Sequence, residues 1–363
     1  MIDGADPDAV RRALSKEDLL SGTGGFAGEL DDALVRDALG RYPVFFERQA
    51  GAPAASDAWS FDPTALTDPV SVPAGHRVDA TGSEQVLSLP DPSPCSSDAA
   101  AVAAVRDAVA ASVDAVSTDG LAIAFSGGLD SAMLAARLDV PLYVAGFPDS
   151  HDVEAARSAA DLLDADLTVI ELTHDDLVDA VPRIARATGR TNAMDVQIAL
   201  GLFLAADRAA SDGFERLAVG QGADELFGGY AKVAKAPEDP RVDADTVRGA
   251  RREVVLGLPG QLERDVLALR AAGVEPVAPL LHDTVVEAAL QLPGHLLVAD
   301  DGTRKVALRR AASEWLPDEI AQRDKKAVQY GSLVSRELDR LARQAGFKRR
   351  MDDHVGKYVA SLL

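Results

Sequence analysis

Four short apolar runs, each set apart by segments of helical spacing, constrain this chain more than any other feature. They are Leu121-Ala122-Ile123-Ala124-Phe125, Leu142-Tyr143-Val144-Ala145, Leu167-Thr168-Val169-Ile170 and Arg216-Leu217-Ala218-Val219. Each is too short for a helix and reads as a strand buried on both faces. Helices are expected between them near 131–137, 152–163, 175–187 and 195–211. Parallel neighbours need a crossover of about a dozen residues or more, and a helix supplies it. The expected fold class is therefore α/β, a doubly wound parallel sheet covered on both faces. Upstream, Asp98 is the candidate N-cap of a helix over 99–116, with Val102, Val105, Val109 and Val113 on one face. Beyond 245 the pattern turns helical, at 245–256, 261–271, 283–291, 303–314 and 334–344, so C-terminal helices should extend the sheet.

The first hundred residues read differently. Residues 1–20 resemble a short solvated helix and a tether. Residues 21–88 carry glycine and proline punctuation around extended runs, Tyr42-Pro43-Val44-Phe45-Phe46, Ala58-Trp59-Ser60-Phe61 and Val70-Ser71-Val72, and should be β-rich. Residues 89–98, with Pro90, Pro92 and Pro94 among small polar residues, read as a linker. The expected organisation is thus a tether (1–20), a small β-rich region (21–88), a linker (89–98) and a main domain (99–363).

Composition narrows the partners. The 363 residues are 47% hydrophobic, enough for a sizeable core, and carry a formal net charge of −21. That mean field repels polyanions and argues against unaided binding to nucleic acid or an anionic membrane. No run approaches the roughly 18 apolar residues of a membrane span. Met1-Ile2-Asp3-Gly4-Ala5-Asp6 has neither the basic nor the apolar region of a signal peptide. Cys95 is the single cysteine, which excludes an internal disulfide framework and a cysteine zinc cluster. A cytoplasmic location is expected. Aspartate outnumbers glutamate 42 to 16, and arginine outnumbers lysine 29 to 8. Such acidity is read as salt adaptation, against the alternative of an ordinary acidic enzyme.

Two glycine-rich motifs carry the chemistry. Ser126-Gly127-Gly128-Leu129-Asp130-Ser131 follows the first strand of the sheet and opens a helix. Small residues let the backbone wrap a phosphate group, and amides at the turn point at the anion. The alternative is a tight strand–helix turn with a serine cap. It is not a Walker A loop, since it has no lysine. The second motif, Gly220-Gln221-Gly222-Ala223-Asp224-Glu225-Leu226-Phe227-Gly228-Gly229-Tyr230, follows the strand ending at Val219. Ligands of open parallel sheets collect beyond the carboxyl ends of strands. Asp130 and Asp224 are therefore expected across one crevice, as hard carboxylates for Mg²⁺ beside phosphates. Glu225 has two readings, holding the loop or taking part in chemistry.

Both motifs resemble the synthetase domain of the asparagine synthetase family, a branch of the PP-loop ATP pyrophosphatases. The similarity continues through Ala145-Gly146-Phe147-Pro148-Asp149-Ser150-His151-Asp152, Ala278-Pro279-Leu280-Leu281-His282-Asp283, the stretch from Lys305 to Arg309, and Arg323-Asp324-Lys325-Lys326-Ala327. It covers about residues 99–335. The resemblance implies an ATP-dependent ligase that joins carbon to nitrogen. A substrate carboxylate attacks the α-phosphate, giving an acyl-adenylate and pyrophosphate, and ammonia then displaces AMP. By the same resemblance Ser126, Gly127, Gly128, Leu129, Asp130 and Ser131 hold pyrophosphate, and Asp130 and Asp224 bind Mg²⁺. Phe125, Ala145, Gly220 and Gly222 offer contacts to the nucleotide. Lys325 neutralises charge developing between acyl and phosphate groups, with Lys326 the alternative in a register shifted by one.

Residues 41–46 and 61–76 resemble the latter part of the family's glutaminase domain. That domain works through a cysteine directly after the initiator methionine, and residue 2 here is Ile2. The region is read as a shortened remnant without glutaminase chemistry, a structural cover. Ammonia is then the expected nitrogen source, free or from a separate glutaminase. Two departures bear on the acceptor. Gln221 stands where the family carries a glutamate, and a glutamine amide takes no proton at neutral pH. Gln197 stands near the place of a substrate-binding arginine, with Arg190 and Arg186 nearby in sequence. His282 replaces a common aspartate and is read as a hydrogen-bonded structural histidine. Other readings are a relative acting on a cofactor precursor, a β-amino acid or a tRNA base, and a non-catalytic ATP-binding regulator.

Overall fold

The computed structural model describes residues 1–16, 22–236, 238–323 and 333–363. Along the chain come β1 (Ile2–Asp3), α1 (Pro7–Lys16), β2 (Ala27–Leu30), β3 (Ala33–Arg36), β4 (Phe45–Glu47), β5 (Trp59–Ser60), β6 (Pro69–Ser71), β7 (His76–Asp79) and β8 (Gly82–Gln85). The middle holds α2 (Asp98–Asp114), β9 (Leu121–Ala124), α3 (Leu129–Ala135), β10 (Leu142–Gly146), α4 (His151–Leu163), β11 (Leu167–Glu171), α5 (His174–Thr188), α6 (Ala193–Ser211) and β12 (Arg216–Ala218). Then follow α7 (Ala223–Phe227), α8 (Ala231–Ala234), α9 (Val247–Leu256), α10 (Leu258–Ala272), β13 (Glu275–Val277), α11 (Asp283–Leu290), α12 (Gly294–Leu297), α13 (Val306–Ala312) and α14 (Asp318–Ala321), with later helices at Val334–Gln344 and His354–Ser361. These elements form two compact units. One comprises Met1–Val116, Gly220–Glu263 and Ala278–Glu314. The other comprises Ser117–Val219, Arg264–Val277 and Trp315–Leu363.

The first unit contains the β-rich segment. Its larger sheet runs in the order β1-β2-β3-β7-β8 with antiparallel neighbours, and a three-stranded sheet runs β5-β4-β6. Alternation along β3 sends Leu34 and Val35 to opposite faces. Val35 packs with Val10, Phe26, Leu30 and Leu87, while Leu34 packs with Ala27, Val44, Val72 and Val78. Ile2 and Asp3 pair with Gly28 and Ala27, and α1 buries Val10 against the sheet, so two paired residues and one apolar helix face dock a segment too short to show a strand pattern.

Helices α2, α11 and α13 pack together in the same unit. The cap of α2 is Ser97, whose Oγ accepts from the Ala100 amide at 3.3 Å, so Asp98 falls in the first turn instead. Val105, Val109 and Val113 are fully buried, while Val102 is half-buried. The proline-rich stretch before α2 is strapped down. Arg252 donates to the carbonyls of Leu89 and Pro90 at 2.7 Å each, and Arg248 donates to that of Pro92 at 2.7 Å. Arg251 beside them is buried, and desolvation lowers its pKa to about 10.

The second unit is built on a parallel sheet in the order β11-β10-β9-β12-β13. The four strands read from the sequence are all present. The fifth, β13, has no apolar run and contains Pro276; it survives at a sheet edge, where a missing amide is tolerated. Strand order runs outward from β9 to β11 and then reverses, placing β12 on the other side of β9. Right-handed crossovers then put the connecting helices on opposite faces before and after the reversal. Helix α3 contacts β9, α4 contacts β10 and β11, and α6 contacts β9, β10, β11 and β12. Among the described residues no helix is long and apolar enough to cross a membrane.

Candidate active site

In the second unit, the turn from β9 into α3 lies at the reversal of strand order. Ala218 and Leu142 both pair with Ile123 there. Beyond the carboxyl ends of such neighbouring strands the sheet leaves room for a ligand. Phe125 is buried and its amide donates to Tyr143 O at 2.7 Å, which fixes where the loop starts. Gly127 has φ of +68°, and a Cβ on it would overlap the Ala155 carbonyl. Only glycine serves there, both for conformation and for space. Gly128 occupies the N-cap position of α3 without a side-chain cap. Ser131 Oγ closes the loop from below: it accepts from the Ser126 amide at 3.2 Å and donates to Gly128 O at 3.3 Å. Asp130 is half-buried in the first turn, and Leu129 points into the core. Ala145 is buried near the carboxyl end of β10.

The second glycine motif belongs to the first unit. Gly222 (φ +93°) and Gly228 (φ +74°) cap the two ends of α7. A Cβ on Gly222 would stand 2.6 Å from Leu281 Cδ2, so the close approach of the 280–281 segment needs glycine. A Cβ on Gly229 would overlap the Asp224 carboxylate. That carboxylate pairs with Lys305 Nζ at 2.7 Å. Lys305 is 3% exposed and holds φ of +59°, a left-handed backbone uncommon for a residue with a side chain. Its amide donates to Leu297 O at 2.8 Å. Glu225, also buried, accepts from the Tyr230 hydroxyl at 2.5 Å, which favours the loop-holding reading. Gln221 is half-buried one residue ahead of Gly222.

The family model described as asparagine synthase matches residues 103–257 and 238–358. The chain belongs to the asparagine synthase family. A protein from Methanocaldococcus jannaschii, provisionally named asparagine synthetase [glutamine-hydrolyzing] 1, is 30% identical over 273 residues, 65% of this chain and 50% of its own length. The nodule asparagine synthetase of Pisum sativum is 26% identical over 236 residues, 58% of this chain and 39% of its own. Asparagine synthetase B of Escherichia coli is 24% identical over 229 residues, 58% of this chain and 41% of its own. The chain thus spans half or less of the length of these curated relatives.

In this asparagine synthase family member, Asp130 and Asp224 belong to different units, each beside its own glycine loop. Lys325 and Lys326 lie outside the described residues. Gln197 sits on α6 and accepts from Ser335 Oγ at 3.1 Å. Arg190 is 3.3 Å from Asp195, which also takes Arg264 at 2.9 Å, so Arg190 is held within a structural network. His282 caps α11, with Nδ1 accepting from the Thr284 amide at 3.3 Å, and burial lowers its pKa. Two residues escape sequence reasoning as structural parts of the loops. Lys305 carries only a resemblance in sequence, although it is one of just eight lysines. Arg323 likewise lies in a stretch that carries only the resemblance, with nothing to name its contact; its guanidinium bonds Gly127 O from 196 residues away.

Proposed function

We propose that this chain is an ATP-dependent amide synthetase of asparagine synthetase type. A carboxylate oxygen of the substrate attacks the α-phosphorus of ATP, and pyrophosphate leaves. Ammonia then adds to the acyl carbon of the adenylate; AMP leaves, one proton is released and an amide remains. The observation that carries this reading is the β9–α3 turn. In a family member, it is a loop that only glycine can make, at the reversal of a parallel sheet.

In this reading Ser126, Gly127, Gly128, Leu129, Asp130 and Ser131 cradle pyrophosphate. Phe125, Ala145, Gly220 and Gly222 contact the nucleotide through their backbones. Lys325 stabilises negative charge passing between acyl and phosphate groups. Gln221 faces the second half-reaction as a hydrogen-bonding group and not as a base. Among the described residues no cluster of three or more His, Cys, Asp or Glu side chains could hold a metal alone. Mg²⁺ is commonly held by one or two carboxylates together with substrate phosphates. Asp130 and Asp224 are the carboxylates proposed for it, and the ion would supply charge neutralisation on the phosphates.

Gln221 and the engagement of Gln197 by Ser335 favour an acceptor other than aspartate. Ammonia is the proposed nitrogen source, free or delivered by a separate glutaminase, and the cytoplasm the proposed location. The test is a screen of amino and keto acids for pyrophosphate release with ATP, Mg²⁺ and ammonia in concentrated KCl, with Asp130→Asn as the inactive control. Release that depends on one acid and vanishes in the control supports the reading. ATP binding with no release from any acid makes the chain a regulator instead.

A further inference from the structure

Arg323 follows α14, which packs on α3. Its guanidinium turns back to the glycine loop. Nη1 donates to both Gly127 O and Ala155 O at 3.0 Å, and Nη2 donates to Ser158 Oγ at 3.2 Å. One side chain therefore joins the loop after β9 to the middle of α4, the helix against which Gly127 is pressed.

The consequence follows from peptide geometry. In a planar trans peptide, the carbonyl and the next amide point in opposite directions. Holding Gly127 O on the Arg323 side turns the Gly128 N–H to the other side. Gly127 is the one positive-φ residue in the 126–131 loop, and glycine's conformational freedom makes that peptide the easiest one to turn over. A lysine could reach one carbonyl, but only the guanidinium fork bridges two carbonyls and a hydroxyl at once.

We infer that Arg323 is a positioning residue for pyrophosphate: it sets the Gly127–Gly128 peptide so that the loop's amides meet the phosphate. The inference rests on the proposed role of the glycine loop as the pyrophosphate cradle. It assigns Arg323 no contact with the ligand.

The test uses the full chain in concentrated KCl and compares wild type with Arg323→Met, Arg323→Lys and Ser158→Ala. Isothermal titration calorimetry measures affinity for Mg²⁺-pyrophosphate and, separately, for adenosine. A thermal midpoint is taken for each protein. Loss of charged hydrogen bonds that orient the cradle should weaken pyrophosphate binding about tenfold or more in Arg323→Met. Adenosine affinity should stay within about twofold, since Phe125 and Ala145 are untouched. Arg323→Lys should fall between, and Ser158→Ala should lose only a few-fold, since the bonds to Gly127 O and Ala155 O remain. Arg323→Lys carries the comparison if the methionine variant does not fold. Unchanged pyrophosphate affinity, or equal losses for both ligands in step with the thermal midpoint, overturns the positioning role. A wild type that binds adenosine but not pyrophosphate instead overturns the cradle reading, and the inference falls with it.

Discussion

Arg41→Met should unfold the first unit more readily than any loop substitution. The Arg41 side chain is 5% exposed, and its two carboxylate partners, Asp37 and Asp283, are 2% exposed each. Arg41 Nε donates to Asp37 at 3.0 Å, and Nη1 donates to Asp283 and to Leu281 O at 2.7 Å each. Burial alone would lower the guanidinium pKa, yet the two carboxylates outweigh it and raise it. Methionine fills most of the volume and removes the charge, leaving two buried carboxylates without their cation. Breaking a buried pair this way costs about 3–5 kcal/mol. Total stability for a protein is only about 5–15 kcal/mol, so a large share should go. Asp283 also accepts from the Thr23 amide at 2.7 Å, so the N-terminal sheets and α11 should loosen together. The assay is urea unfolding in concentrated KCl followed by the fluorescence of Trp59, with Trp315 replaced by Phe. Trp59 packs on the cluster around Val44 and Val72 and reports this unit. Adding Asp37→Asn and Asp283→Asn to Arg41→Met should recover part of the loss. A change below about 1 kcal/mol in the single variant would refute the claim that this triad locks the β-rich segment to the helices.

Gly127→Ala forces a left-handed backbone on a residue with a Cβ, worth about 1–2 kcal/mol, and adds the overlap with Ala155 O. Pyrophosphate binding should be lost by calorimetry in a protein that still unfolds cooperatively. His282 should give the chain an acid-sensitive component. Burial lowers its folded pKa below 6.5, so the unfolded chain binds the proton first. Its contribution is fully present above about pH 6.5 and is lost as pH falls toward the folded value. His282→Asn keeps a capping acceptor and should flatten the part of the stability–pH curve below about pH 6.5, measured by urea midpoints.

Local chemistry made much of this fold legible. Leu121 to Phe125 and its three companions are short apolar runs, and a run buried on both faces leaves that mark. The glycine loop was legible because a positive φ and a crowded carbonyl admit one residue type. Glu275-Pro276-Val277 left no such mark, since pairing with β12 alone makes it a strand. Arg41 with Asp283 and Arg323 with Gly127 were illegible for another reason. Each joins groups about 200 residues or more apart, 242 in the first case and 196 in the second, and a charged side chain in isolation does not announce its partner. Lys305 was half-legible: its stretch carried a resemblance, but its left-handed backbone and its pairing with Asp224 came only from the fold.

If the glycine loop serves acyl activation, pyrophosphate formed there must exchange back into ATP. The most direct measurement is exchange of radiolabelled pyrophosphate into ATP, run in concentrated KCl with Mg²⁺ across a panel of carboxylic acids. Exchange should require both Mg²⁺ and one acid and should disappear in Asp130→Asn. Exchange that is absent with every acid, from a protein that binds ATP and is fully folded, would contradict acyl activation at this loop.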